Sequence, residues 1–388
     1  MDGMFGSDPD DYSRDQARLE TLAARFAATA AAHDQSGLIA HENLAALQAA
    51  GLLGLTVDRR FGGHGGGLRA VVQVIGQISE GDPSTALIVA MQYLQIAGAT
   101  RSGHWPEAIL RTVSEAAVRE GALINALRVE PELGTPARGG LPATIARRTD
   151  GGWRISGRKL YSTGSHALRW GAVWGRTDET QPRVGSFLVP LASSGVTIEP
   201  SWNQLGMRAT GSHTVVLDDV LIPEDHAVDI RPPDAWQGPD PVQLVWGSVV
   251  IGAIYDGVAR AAHRWLLRFL RDRVPANLGA PLASLPRFHE IVGEIEALLM
   301  VNRRLIASFV DTEESGGSFG PAEGGLLKSV VTENAIKAVE IGLAAIGNPG
   351  LSRDNPLERH YRDVLCARIH TPQRDAALSA AGRLALQQ

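Results

Sequence analysis

The sequence predicts a mostly helical α+β protein in which helices, a β module and more helices follow one another along the chain. Three observations carry this. Apolar residues recur at three- and four-residue steps from about residue 11 to 121. Segments rich in β-branched and aromatic residues, broken by Asp-Gly and Gly-Gly, begin near Ala122. Helical spacing then returns after Arg231-Pro232-Pro233. Helices grouped on both sides of one strand block exclude a doubly wound parallel sheet, where strands and helices would alternate throughout. Residues 1–122, 123–230 and 231–388 are the three expected domains.

In the first block Leu19, Leu22, Ala23, Phe26 and Ala27 mark one amphipathic helix, and Leu44, Leu47 and Leu52 another. Gly51, the glycine-rich run 61–67 and Asp82-Pro83 separate four to six helices. In the second block 143–148, the turn Asp150-Gly151-Gly152 and 153–156 read as a hairpin. Strands at 171–176, 185–190, 196–200 and 213–223 complete a small antiparallel barrel or sandwich. In the third block long helices are expected over 241–273, 285–312, 320–347 and from 355 to the C-terminus, with 313–320 as a bundle loop.

With 388 residues, 44% hydrophobic and 20% charged, the chain can bury a large core without staples. Its one cysteine, Cys366, allows no intramolecular disulfide and fits a reducing compartment. The acidic N-terminal stretch lacks the basic and apolar regions of a signal peptide, so a cytoplasmic protein is expected. No uninterrupted apolar run reaches the ~20 residues of a membrane span, and no membrane association is expected. A net charge of -5 with both signs scattered offers no basic stripe for nucleic acid. The glycine run lacks dinucleotide spacing, since Leu68 stands at the sixth position from Gly63. There is no His-Glu-x-x-His, cysteine pair or Gly-x-Ser-x-Gly, so neither a metal site nor a hydrolase elbow is expected.

Four longer stretches, in order, are more informative. They are Phe61-Gly62-Gly63-His64-Gly65-Gly66 with the later Ser79-Glu80-Gly81-Asp82-Pro83-Ser84; Trp153 through Tyr161-Ser162-Thr163-Gly164; Leu205-Gly206-Met207-Arg208-Ala209-Thr210-Gly211-Ser212; and Pro356-Leu357-Glu358-Arg359-His360-Tyr361-Arg362-Asp363. Together they resemble the acyl-CoA dehydrogenase superfamily over about residues 15 to 380. The resemblance implies an N-terminal helical domain, a middle β-barrel and a C-terminal four-helix bundle. It also implies a flavin cofactor, FAD or FMN, and a homotetramer assembled through the C-terminal helices.

By the same resemblance Tyr161 stacks on the isoalloxazine and Thr163 bonds its N5 and O4 edge; the plainer alternatives are core filler and a turn residue. Glu130 to Thr135 matches the family's phosphate-side loop, placing Gly134 and Thr135 near the flavin phosphate or substrate neck, with Val129 replacing a threonine. Arg273 matches an arginine that reaches a neighbouring subunit's cofactor; a solvated helix-end arginine is the alternative. Gly347 and Gly350 keep part of the adenine loop, which Asn348-Pro349 interrupts, and Ala344 stands where glutamine is usual.

Desaturating an acyl thioester requires a carboxylate that takes the α-proton in a dry pocket. The resemblance puts that base at Thr371, along the C-terminal helix, or at Ser248, and neither hydroxyl can serve. Tyr161-Ser162-Thr163-Gly164-Ser165 and Arg368-Ile369-His370-Thr371 are instead similar to the reduced-flavin monooxygenase branch. There a separate flavin reductase supplies reduced flavin, and O2 chemistry oxygenates a small-molecule substrate. His370 is then the acid, base or hydroperoxide donor, supported by Ser165 and Thr163, with Gln373 replacing a second histidine; a helix-end histidine is the plain alternative. Two rival readings stand beside this: a dehydrogenase using a displaced carboxylate such as Asp256 or Glu358, and a catalytically silent flavin-binding scaffold.

Overall fold

The computed structural model of the chain describes residues 9–132, 140–236 and 240–387. Five helices open it: α1 (Pro9–Ser36), α2 (His41–Ala49), α3 (Leu68–Gly81), α4 (Pro83–Ser102) and α5 (Glu107–Glu120). Asp82 starts α4, its carboxylate accepting the backbone N–H of Ser84 (3.0 Å) and Thr85 (3.3 Å), with Pro83 supplying a preset first turn. Most of α4 is buried, because α3, α5, the β module and the C-terminal bundle surround it. Fully buried Gln92 ties it to the sheet by accepting the Ile124 N–H at 2.8 Å.

Eight strands form one sheet: β1 (Leu123–Leu127), β2 (Ile145–Thr149), β3 (Gly152–Ser162), β4 (Leu168–Thr177), β5 (Val184–Pro190), β6 (Val196–Glu199), β7 (His213–Ile222) and β8 (Ala227–Arg231). The order is β6-β7-β3-β2-β4-β5-β8, with β1 beside β4. The expected hairpin is there as β2 and β3. Two pairings correct the expectation of an all-antiparallel module: β1 and β2 both run parallel to β4. For β2 the reason is geometric, since the chain reverses from β2 to β3 and again from β3 to β4. Strand β8 escapes the sequence pattern because only Val228 of its five residues is buried.

The third block comprises α6 (Pro241–Asp272), α7 (Pro286–Glu314), α8 (Glu323–Ile346), the short α9 (Asn348–Leu351), α10 (Leu357–Leu365) and α11 (Arg374–Leu386). Long and apolar enough by length and composition to cross a membrane, α6 instead has most of its apolar window buried inside the protein as a core helix. Along α6 and α8, Ser248 lies opposite Gly324, Gly252 opposite Val331 and Leu266 opposite Gly342, so the two helices run side by side in the same direction. The expected single helix from 355 onward is corrected: it breaks after a 3-10 turn at Cys366–Ile369, and His370 and Thr371 lie in the non-helical link before α11. Pro372 causes the break, since it has no N–H to donate and disfavours helical backbone at the preceding residue.

The β module docks on the bundle where the 205–207 loop meets α10. Asp363 accepts the Met207 N–H at 2.6 Å, and Arg362 donates to the Leu205 carbonyl while holding Asp34 of α1 through two bonds of 2.9 and 2.6 Å. The approach is so close that a β-carbon on Gly206 would overlap the Arg362 carbonyl oxygen. Gly206→Ala is therefore expected to destabilise the protein by roughly 1–3 kcal/mol, the range for an overpacked site. Urea denaturation measures it, and an unchanged midpoint would show that the loop docks loosely.

Candidate active site

On the β side the site begins where β3 leaves the sheet. Tyr161 adopts φ 54°, a left-handed conformation that costs a non-glycine residue roughly 1–2 kcal/mol and so points to a function beyond folding. The residue is 58% exposed, an unusual state for a large aromatic at a strand end, and its ring meets Trp202 edge-on at 6.4 Å. Two residues on, the Thr163 hydroxyl lies 3.0 Å from that of Ser212, which lies 2.8 Å from that of Thr210. Thr210 donates onward to the Met207 carbonyl (2.9 Å), so a ladder of hydroxyls joins β3 to the loop that docks on α10. An exposed aromatic face beside a half-buried hydroxyl suits a flat ring with polar edge atoms, and the residues fit a flavin.

Ser165 sits in the same loop but is fully buried, with its one hydroxyl proton committed to the Gly211 carbonyl at 2.7 Å. Its role in this geometry is to hold the 163–165 turn against the 211 turn. Asn125 does the same from β1, donating to the Thr163 carbonyl (3.1 Å). Earlier on β3 lies a fully enclosed ion pair: Lys159 donates to Glu130 at 2.6 Å and also to the Trp174 carbonyl. Burial draws the Lys159 ammonium down to a pKa of about 8 against the pull of Glu130. Burial works against the Glu130 charge too, yet Lys159, Thr144 and the Ala143 N–H together hold its carboxyl below the usual range.

On the bundle side His370 Nε2 lies 2.7 Å from the hydroxyl of Tyr255, which α6 buries completely. Lys328 of α8, 2% exposed, donates to the carbonyls of Ala367 (3.2 Å) and Pro372 (3.1 Å) on either side of His370. The imidazole keeps part of its surface accessible, but desolvation, with the Lys328 ammonium adding, lowers its pKa to about 4. It is neutral at physiological pH. Thr371 is exposed, and the Ser248 hydroxyl is buried without a partner, facing Gly324. Asp256 accepts from Arg260 of its own helix at 2.9 Å and from Asn302 of α7 at 3.1 Å, and Glu358 is taken by Arg362 at 2.8 Å. Among the described residues no group of histidine, cysteine or acidic side chains could hold a metal.

The remaining sequence-predicted residues are elsewhere. Gly134 and Thr135 lie outside the described residues. Val129 bridges to Leu160, which keeps the start of that segment on β3. Because α6 and α8 are parallel, Arg273 at the end of α6 comes to the same end of the bundle as Gly347 and Gly350. That end is about 27 Å along α6 from Tyr255 at ~1.5 Å per residue. Arg273 is exposed and its side chain makes no ion pair among the described residues. Gly347 ends α8 at φ 66°, and Asn348-Pro349 folds into α9 instead of a loop; Gly350 permits that fold, as its β-carbon would lie 2.8 Å from the Leu343 carbonyl. Ala344 lines a groove of about 480 Å³ between α7 and α8, together with Arg287 and Lys337.

Tyr255, Lys328, Ser212 and Thr210 are the site residues that sequence reasoning leaves out. Ser212 and Thr210 close a stretch that the sequence does single out. Tyr255 and Lys328 carry no motif, and their only signal is a polar group on the apolar face of a helix.

This architecture is matched across its length. The N-terminal, middle and C-terminal domain models of the acyl-CoA dehydrogenases align with residues 12–103, 128–220 and 242–371, and the chain belongs to that family. It is a flavin-dependent oxidoreductase, with FAD or FMN as its cofactor. The protein YdbM of Bacillus subtilis (strain 168), named for the acyl-CoA dehydrogenases, is 33% identical over 93% of each chain. The amino sugar nitrososynthase DnmZ of Streptomyces peucetius is 27% identical, covering 81% of this chain and 78% of its own. The structure of KijD3 with FMN and a dTDP-linked 3-amino-4-keto sugar superposes with a TM-score of 0.83 at 25% identity, over 98% of this chain and 95% of that one.

Proposed function

We propose that this protein is a reduced-flavin, O2-dependent monooxygenase acting on a small organic substrate, supplied with reduced flavin by a separate reductase. The observation that carries the reading is that, among the described residues, neither expected base position nor either displaced candidate offers a free carboxylate. Thr371 and Ser248 stand at the two positions where the family keeps its glutamate, and Asp256 and Glu358 are both held by arginines. The likeness to DnmZ and to FMN-bound KijD3 supports the same branch. The flavin, bound in its reduced form, supplies the electrons that activate O2. Tyr161 offers its exposed face to the ring, Thr163 and Ser212 its polar-edge hydrogen bonds, and His370 a neutral donor in a site that admits no strong base. Arg273, too far along α6 to serve the same ring, reaches a neighbour's cofactor in a homotetramer. A second reading, an acyl-CoA dehydrogenase, is favoured by the 33% identity to YdbM.

The test is the return of the oxidised-flavin spectrum after the reduced complex meets O2. Slow return is expected, sped up about 10-fold or more in His370→Ala, the scale of one lost hydrogen bond to a charged group. Reoxidation as fast as that of free flavin, in wild type and variant alike, would refute the reading.

A further inference from the structure

We propose that Tyr255 and Lys328 are positioning residues for His370: Tyr255 donates to Nε2 and fixes the ring as its Nδ1–H tautomer, while Lys328 clamps the two carbonyls that bracket it. The inference rests on the proposed function only for what the Nδ1 proton is used for. The direction of the first bond follows from burial. The Tyr255 phenol is fully buried, and among the described residues its only partner is His370 Nε2 at 2.7 Å. If Nε2 carried the proton, the phenol would accept that bond and its own O–H would be left buried without an acceptor, at a cost of ~1–3 kcal/mol. Donation by the phenol satisfies both groups. It also holds because the phenol keeps its proton: burial, then the nearby Cys366 and Asp363, push Tyr255 well above the ordinary tyrosine range.

A neutral ring that accepts at Nε2 must carry its proton at Nδ1. Nδ1 meets no partner among the described residues, and it belongs to a side chain that keeps part of its surface open. It is the nitrogen left to donate to whatever enters the site. Lys328 contributes in two ways. Its bonds to the Ala367 and Pro372 carbonyls fix a link that has no helical hydrogen bonds of its own, and its charge opposes protonation of the ring. The groups facing His370 are thus Tyr255 from α6 and Lys328 from α8, with Asp363 and Cys366 behind Tyr255. None of them is a carboxylate bonded to the imidazole, which would favour the charged ring.

The experiment reads the tautomer directly in flavin-free protein labelled with 15N-histidine, the His370 signal being assigned by its loss in His370→Gln. The expected spectrum shows a protonated Nδ1 and an unprotonated Nε2. In Tyr255→Phe the ring should pass to the Nε2–H form that a free histidine side chain prefers. A protonated Nε2 in the unaltered protein, or an unchanged tautomer in Tyr255→Phe, would overturn the proposal without reference to any variant's activity. For Lys328, the Lys328→Met variant should raise the His370 titration midpoint from about 4 towards 6.5; an unmoved midpoint removes Lys328 from the proposal. The reoxidation assay separates this from the function itself. If the tautomer is as stated but neither Tyr255→Phe nor His370→Ala alters reoxidation, the monooxygenase reading falls and the positioning of His370 stands.

Discussion

Anaerobic mixing of the oxidised holoenzyme with a chain-length series of acyl-CoA thioesters should leave the flavin spectrum unbleached. Bleaching requires removal of the α-proton as hydride leaves the β-carbon, and that proton needs an acceptor within hydrogen-bond reach. Thr371 and Ser248 are alcohols, far too weakly acidic to be present as bases at neutral pH. Asp256 is the strongest counter-candidate, because burial raises its carboxyl to about 6, a value suited to a general base. Its geometry argues otherwise: it is bonded to Arg260 and to Asn302 of α7, whereas its neighbour Tyr255 is the residue that meets His370. On a helix, successive residues point about 100° apart, so the two side chains serve different faces. Loss of a positioned base costs ~10²–10⁴-fold in rate, which separates bleaching within seconds from none over many minutes. Rapid bleaching with any thioester would decide for the dehydrogenase reading. Asp256→Asn would then show whether that carboxylate had taken the role.

The helix, strand, helix order was legible because it depends on hydrophobic period, which local sequence carries. The parallel pairing of β2 with β4 was not, since it follows from two successive chain reversals rather than from any residue in either strand. The break before α11 had a visible signal in Pro372, outweighed by the apolar spacing on either side of it. At the site, Tyr161 and Thr163 could be found from a contiguous stretch. Their partners Ser212 and Thr210 come from another stretch some fifty residues on, and only the sheet brings the two together. Tyr255 and Lys328 are harder still. Each is one polar residue in a long apolar helix, and its meaning depends on facing the 366–372 link, a contact that no spacing within α6 or α8 encodes.

Lys159→Met is expected to produce the largest loss of stability of any single substitution considered, roughly 3–5 kcal/mol, the scale for stranding one member of a buried ion pair. Both Lys159 and Glu130 are essentially inaccessible, so solvent cannot replace the lost partner. Glu130 would keep hydrogen bonds from the Ala143 N–H (2.7 Å), the Thr144 N–H (3.0 Å) and the Thr144 hydroxyl (2.6 Å), but it would lose the only cation that contacts it among the described residues. The Trp174 carbonyl would lose the Lys159 donor as well. Because Glu130 holds the backbone N–H groups of Ala143 and Thr144, the damage should extend to the start of β2. The control is Glu130→Gln combined with Lys159→Met, which removes both charges and should recover more than half of the lost stability, since a buried pair replaced as a unit is often close to neutral. Equilibrium urea denaturation of the three variants makes the comparison. A loss below about 1 kcal/mol for Lys159→Met would mean that Glu130 can take up a proton in place at little cost. The pair would then be packing, not the fastener that ties Glu130 to β3.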